Sequence, residues 1–219
     1  MRLQGAIFDM DGTLLNSMFV WDSLGSDLLR ELGIEPEPGL DAKLKTMSLH
    51  GAAEYCKKTC GLSQSEEEIV ALVDAKVDRF YREEVTAKPG ADKLLSLLKM
   101  EGVWMYLATA TDRPQAEAAL RHTGLDRYFR GILTCSEIGA GKDSPLIFEK
   151  CLTRLRCRRD ACVVFEDSLH AIQTAKEAGF QVAAVYDASS EADQPEIRKL
   201  ADYYIRSYDE FFDTIRNPV

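Results

Sequence analysis

The spacing of apolar and polar positions changes character twice along the chain. Leu3 to Phe8 is a short apolar run that stops in Asp9-Met10-Asp11-Gly12, the pattern of a buried strand ended by a turn. From Met18 the period becomes helical: Met18, Trp21, Leu24, Leu28, Leu29 and Leu32 recur at three- and four-residue steps, and Gly33 is placed to end the helix. A Pro/Gly-bearing loop, Glu35-Pro36-Glu37-Pro38-Gly39, separates it from two more predicted helical stretches, 40–60 and 65–84. The second opens with Ser65-Glu66-Glu67-Glu68, a capping-box pattern, and carries Ile69, Leu72, Val73, Val77, Phe80 and Tyr81 on one face. No strand signal interrupts 17–84.

Past Lys88-Pro89-Gly90 the strands return. A helix rich in leucine (Leu94, Leu95, Leu97, Leu98) ends near Gly102, Val103 to Ala108 reads as a strand, and Asp112 with Pro114 starts another helix as N-cap and first-turn residue. Gly131 to Thr134, Ala161 to Phe165 and Gln181 to Val185 are further apolar runs, separated by helical segments. Strands alternating with helices make parallel βαβ units. The expected fold is α/β: a Rossmann-like parallel sheet core with helices on both faces, formed by 1–15 and 86–219, and an inserted all-helical cap domain, 16–85.

Ligands of an open parallel sheet bind beyond the carboxyl ends of its strands, and polar residues gather there. The first strand delivers Asp9 and Asp11 with Gly12-Thr13, the second Thr109 and Thr111, and the strand at 161–165 Glu166, Asp167 and Ser168. The loop Gly139-Ala140-Gly141-Lys142 brings an ammonium to the same edge. Carboxylates converging on one pocket repel one another unless a cation sits among them, and all-oxygen ligation suits Mg²⁺. A divalent ion, a lysine and two threonine hydroxyls make a site for a phosphoryl group, neutralising its charge and satisfying its oxygens. Gly12 permits a tight turn, so that one carboxylate can attack while the other handles protons. Each residue alone has a plainer reading: Asp9 and Asp11 as turn caps, Thr109 as a helix cap, Lys142 as a surface charge, Glu166-Asp167 as an N-cap. The ordered set at successive strand ends is what points to a site.

Composition narrows the partners. Lys and Arg total 27 against 36 Asp and Glu, and a net charge of −9 repels a phosphate backbone, so nucleic acid is not expected. No run approaches the roughly 18 apolar residues of a membrane span. The N-terminus shows neither the apolar core nor the cleavage site of a secretory signal, and a cytoplasmic location is expected. The six cysteines are then expected as free thiols; Cys56 and Cys60, with His50 before them, lack the paired spacing of a zinc site.

Phe8-Asp9-Met10-Asp11-Gly12-Thr13-Leu14, Leu107-Ala108-Thr109, Lys142 with Pro145, Ile147 and Phe148, and Val164-Phe165-Glu166-Asp167-Ser168 resemble, in order, the four motifs of the haloacid dehalogenase superfamily. The resemblance covers essentially the whole chain. Lys88-Pro89-Gly90 and Ala178-Gly179 are similar to the branch with a helical cap after strand one, which includes phosphatases and β-phosphoglucomutases. It implies a Mg²⁺-dependent phosphatase acting on a small phosphorylated metabolite through an aspartyl-phosphate. Asp9 would be the nucleophile and Asp11 the general acid and base. Asp9, the backbone carbonyl of Asp11, and Asp167 would bind Mg²⁺ with Glu166 beside them, and Thr109 and Lys142 would hold the phosphoryl group. Two departures stand out: His170 where the family usually has glycine, and Lys142-Asp143 for the usual Lys-Pro.

Asp11 speaks against the dehalogenase and phosphonate-hydrolase branches, which lack this carboxylate. A phospho-accepting module without catalysis would need neither the cap nor Asp11. The β-phosphoglucomutases carry an arginine soon after the cap serine and a histidine downstream of the nucleophile, where this chain has Leu49 after Ser48 and Trp21. Leu49 cannot pair with phosphate, which favours net hydrolysis. In this branch the cap selects the substrate; Lys43, Lys45, Ser48 and His50 lie near a cap loop, with Lys45 readable either as a contact to an anionic substrate or as a solvated helix lysine.

Overall fold

Gly5–Phe8 forms the first strand, β1, with all four residues buried, as expected of a strand covered on both faces. The computed structural model describes residues 3–44 and 47–208, so Lys45 and Thr46 lie outside the described residues. After a loop at 9–14 comes the two-residue strand β2 (Leu15–Asn16). The chain then passes through α1 (Val20–Glu31), α2 (Leu40–Leu44), α3 (Leu49–Thr59) and α4 (Glu66–Arg79) before β3 (Thr86–Ala87), which pairs antiparallel with β2. It divides into two compact units, Met1–Asn16 with Val85–Val219, and Ser17–Glu84.

In the helical unit, α1 buries Leu28 and Leu29 and ends through Gly33, which takes φ 78°. The stretch expected as one helix over 40–60 is two helices. Ser48 interrupts it with extended backbone (ψ 159°), and its hydroxyl accepts the Gly51 N–H at 3.1 Å, capping α3. Ser65 and Glu68 form the reciprocal capping box of α4, with bonds of 3.1 and 2.7 Å. A wider π-type turn, Phe80–Glu84, follows α4 and buries the consecutive residues Phe80 and Tyr81.

The other unit continues with α5 (Ala91–Met100), β4 (Trp104–Thr109), α6 (Arg113–Thr123), β5 (Ile132–Thr134), α7 (Cys135–Ile138), α8 (Leu146–Leu155), β6 (Cys162–Glu166), α9 (Leu169–Glu177), β7 (Gln181–Val185), α10 (Gln194–Leu200) and β8 (Tyr203–Ile205). Six strands make one sheet in the order β5-β4-β1-β6-β7-β8, every neighbouring pair parallel. The chain grows outward from β1 in both directions, so the strand order reverses beside β1, where an open α/β sheet leaves its crevice. Side-chain alternation sends Ile7, Ala108, Val164, Val182 and Ala184 into one core with Phe148 of α8, Ile172 of α9 and Ile197 of α10. On the opposite face Phe8 stacks on Phe165 and meets the edge of Phe129, and α5 packs against β4. The short β2, β3, α7 and β8 have no counterpart in the sequence pattern. Asp112 occupies the N-cap position of α6, yet its carboxylate makes no cap and accepts the Ser136 hydroxyl at 2.5 Å instead. Among the described residues no helix is long and apolar enough to cross a membrane.

Candidate active site

Strand register assembles the site. Phe8 lies opposite Leu107 of β4 and Phe165 of β6, so the next residues on β1 and β6, Asp9 and Glu166, emerge side by side, while Thr109 closes β4 two residues past Leu107. Neighbouring strands run about 4.8 Å apart, which puts the three strand ends within reach of one small ligand. The Phe8 and Phe165 rings stack beneath them with centroids 4.1 Å apart, and the Asp9 N–H extends the ladder to the Phe165 carbonyl at 3.0 Å. Beyond Asp9 the chain turns sharply: the amides of Leu14 and Leu15 both donate to the Met10 carbonyl, and Gly12 supplies the positive φ, 77°, that the turn requires.

Lys142, only 7% exposed, points its ammonium at Asp9 and at Glu166, the latter at 2.7 Å. The second oxygen of Glu166 accepts the Asp167 and Ser168 amides at 2.8 and 2.9 Å and the Ser168 hydroxyl at 3.0 Å. Asp167 accepts the Thr13 hydroxyl at 3.0 Å. Asp9, Glu166 and Asp167 each offer a carboxylate oxygen within 4.8 Å of the others, and all three are buried.

Charge in this cluster is out of balance. Burial pushes Asp9 up to about 7; Lys142 pulls against it, while Glu166 and Asp11 add to the rise. Burial, then the charges of Glu166 and Asp9, hold Asp167 well above the ordinary carboxylate range. Burial works to raise Glu166 too, but Lys142 and the Ser168 donors outweigh it and keep it low. For Lys142 burial disfavours the ammonium, yet Asp9 and Glu166 prevail and keep it charged. With all three carboxylates ionised, the one ammonium would leave two negative charges uncompensated. A donor set of buried oxygens with that deficit fits a hard divalent cation.

Asp11 stands beside the cluster, half-buried, and its carboxylate accepts the Thr111 hydroxyl at 2.6 Å. Thr109 is fully buried and its hydroxyl oxygen accepts the Thr111 amide at 3.0 Å, which leaves its own proton to donate. The structure therefore brings Asp9, Lys142, Glu166 and Asp167 into one contact set and ties Asp11 and Thr109 together through Thr111. His170 is exposed on α9. The six cysteines are free, and among the described residues the three-carboxylate group is the one metal-type cluster; His50, Cys56, Cys60 and the Asp11 carboxylate are not part of it. Two contributors escaped the sequence reading. Thr13 was legible only as part of a turn, although its hydroxyl serves Asp167. Tyr208, 3% exposed, donates its hydroxyl to the Thr13 carbonyl at 2.5 Å across 195 positions of chain, and no local pattern announces it.

Comparison with known proteins gives the family and the fold. A family model of haloacid dehalogenase-like hydrolases matches residues 3–179. The chain is 27% identical over 192 residues to a phosphorylated carbohydrates phosphatase of Thermotoga maritima, covering 82% of this chain and 83% of that protein. It is 29% identical over 189 residues to the bifunctional riboflavin kinase/FMN phosphatase of Arabidopsis thaliana, covering 82% of this chain but only 47% of that longer protein, about half its length. Among solved structures, a Thermotoga maritima protein provisionally named a β-phosphoglucomutase superposes with a TM-score of 0.86 at 22% identity, over 99% of this chain and 100% of that one, a likeness of fold.

Proposed function

The chain belongs to the haloacid dehalogenase-like hydrolase family, and on that premise we propose that it is a Mg²⁺-dependent phosphatase that hydrolyses a small phosphomonoester through an aspartyl-phosphate on Asp9. The observation that carries this reading is the convergence of Asp9, Lys142, Glu166 and Asp167 where the strand order reverses, with Asp11 held alongside by Thr111. Asp9, Asp167 and the backbone carbonyl of Asp11 would hold Mg²⁺. Bound there, the ion would compensate the carboxylates and draw charge from the phosphoryl oxygens.

In the first step a carboxylate oxygen of Asp9 bonds to phosphorus as the bond to the substrate oxygen breaks, and the Asp11 carboxyl gives its proton to that oxygen. In the second step the Asp11 carboxylate takes a proton from water, the water oxygen bonds to phosphorus, and the bond to Asp9 breaks, releasing inorganic phosphate. Lys142 and the Thr109 hydroxyl face the phosphoryl oxygens. Thr111, assigned from the sequence to substrate binding, has its hydroxyl engaged by Asp11, which supports a role in holding the acid in place. Glu166 orients Lys142 and, through the amides of Asp167 and Ser168, the loop that carries Asp167.

The relatives named for carbohydrate phosphates and FMN support a small phosphorylated metabolite as substrate. We assign the helical unit, 17–84, as the cap that selects it. Its Leu49 and Trp21, 41% and 39% exposed, offer no cation for a second phosphate, which supports hydrolysis over intramolecular transfer.

The test is release of phosphate from p-nitrophenyl phosphate by the wild type and Asp9→Asn, with Mg²⁺ and with chelator. Turnover is expected to need Mg²⁺ and to fall on the order of several hundredfold or more in Asp9→Asn, because an amide of the same shape is no anionic nucleophile. Turnover that survives either change overturns the reading. Efficient isomerisation of β-glucose 1-phosphate, primed with glucose 1,6-bisphosphate and releasing little phosphate, would move the protein to the mutases.

A further inference from the structure

On the β5 side of the sheet, an open groove of about 1280 Å³ is lined by residues of β4, β5, α7 and α8 and by none of the catalytic cluster. Its lining is out of keeping with the chain. In a protein with 36 acidic and 27 basic residues, surface cations readily find carboxylates: Arg158 bonds Asp160, Arg159 bonds Glu149, and Lys176 bonds Asp202. Within the groove Arg113 does the same with Glu137. Arg130, Lys150, Arg154 and Arg156 line the groove as well, all exposed, and none has a carboxylate partner among the described residues.

Local geometry gathers these groups. Lys150 and Arg154 stand four residues apart on α8 and so project from one face. Arg156 follows at the C-cap with φ 54° and ψ 37°, a left-handed conformation suited to glycine; it is the one non-glycine residue with positive φ among the described residues. Arg130 lays its guanidinium over the Trp104 ring, which orients the fork without neutralising it. The Tyr106 side chain lies against Gly131, where a Cβ would fall 2.4 Å from the phenolic oxygen. That hydroxyl has no hydrogen-bond partner among the described residues. The groove thus offers a phenolic O–H, an ammonium and three guanidinium groups, all donors, while its carboxylate, Glu137, is already engaged by Arg113.

We propose that this groove is a docking surface for an acidic segment of a partner protein, a short extended peptide in which glutamate or aspartate side chains alternate with apolar ones. Leu133 and Ile138 also line the groove; packed from beneath against the core, they leave part of their surface facing it, an apolar contact that a uniform polyanion lacks. The groove's volume exceeds the roughly 300–1,000 Å³ of small-ligand pockets, which favours an extended occupant. A net charge of −9 repels a long nucleic acid beyond the groove but not a short segment confined to it.

The test is fluorescence anisotropy of the full chain with a labelled peptide of Glu-Leu repeats, alongside inorganic tripolyphosphate and a short single-stranded RNA as competitors. Saturable peptide binding is expected that weakens with added salt, falls about tenfold in the Lys150→Gln, Arg154→Gln double variant, and falls several-fold in Tyr106→Phe. Circular dichroism and p-nitrophenyl phosphate turnover are expected to stay at wild-type levels in both variants, since neither touches the catalytic cluster. The proposal is overturned by absence of saturable binding, by binding that both folded variants retain in full, or by tripolyphosphate or RNA displacing the peptide at concentrations below the peptide's own.

Discussion

Asp9 and Asp167 are held above the ordinary carboxylate range first by burial and then by neighbouring carboxylates, Glu166 and Asp11 for Asp9 and Glu166 and Asp9 for Asp167, and that has a measurable consequence in the metal-free protein. Folded Asp9 keeps its proton up to about 7, whereas the unfolded chain releases it near 3.8. Between those values the folded state binds more protons, so this contribution to stability is present at low pH and is lost as pH rises through about 7. Carboxylates with lowered values, such as Asp187 beside Lys88, act in the opposite sense but at lower pH, below their unfolded value. Mg²⁺ competes with the proton for the same oxygens, so its affinity should rise through the same window. In chelator the midpoint of thermal unfolding is expected to fall from about pH 5 to about pH 8, added Mg²⁺ to restore it at the upper end, and Asp9→Asn to flatten the profile. A midpoint that climbs with pH in chelator would contradict the charge balance of the cluster. At this scale the sequence showed which groups matter but not their partners: Lys142 was legible as a phosphate-facing ammonium, and only its contacts with Asp9 and Glu166 show how it is held charged while buried.

Helix α4 was announced by its own residues, since Ser65 and Glu68 are three apart and stand just before the apolar stripe of Ile69, Val73 and Val77. Replacing Ser65 by alanine should cost about 1 kcal/mol, because the Glu68 amide at the helix start loses its acceptor. Urea unfolding would read this as a lower midpoint with unchanged slope. A loss well under a few tenths of a kcal/mol would mean that tertiary packing alone holds the helix start. The cap of α3 is the Ser48 hydroxyl alone, with Gly51 at the position where α4 has Glu68, and it was hidden because helical spacing continues on both sides of it. β2, β3, α7 and β8, of two to four residues each, stand in no apolar run of the kind that revealed the equally short β1 and β5. Their existence rests on partners: Leu15 and Asn16 become a strand by pairing with Ala87 and Thr86, and Tyr203 to Ile205 by pairing with Ala183 to Val185.

At the scale of the whole molecule, β2 and β3 carry the chain out of the sheet-bearing unit and back. Asn16 and Thr86 are antiparallel partners, so their Cα atoms lie about 5 Å apart and a two-residue turn can join them. A chain in which Asn-Gly replaces 17–85 is expected to fold, to release phosphate from p-nitrophenyl phosphate with Mg²⁺, and to discriminate poorly among sugar phosphates. Comparing kcat/KM across such a panel checks it; selectivity equal to that of the full chain would remove the helical unit from substrate choice. The amino-acid sequence alone determined the parallel α/β core, the helical segment within it, the family, and the four motifs at the strand ends. Those are written in short windows, where apolar period and local motif suffice. The tertiary structure alone decided that Lys142 spans Asp9 and Glu166, that Thr13 steadies Asp167, that Tyr208 braces Thr13, and that Arg130 faces α8 across a groove. Each joins residues distant along the chain, and such contacts come from strand order and register, which no local window contains.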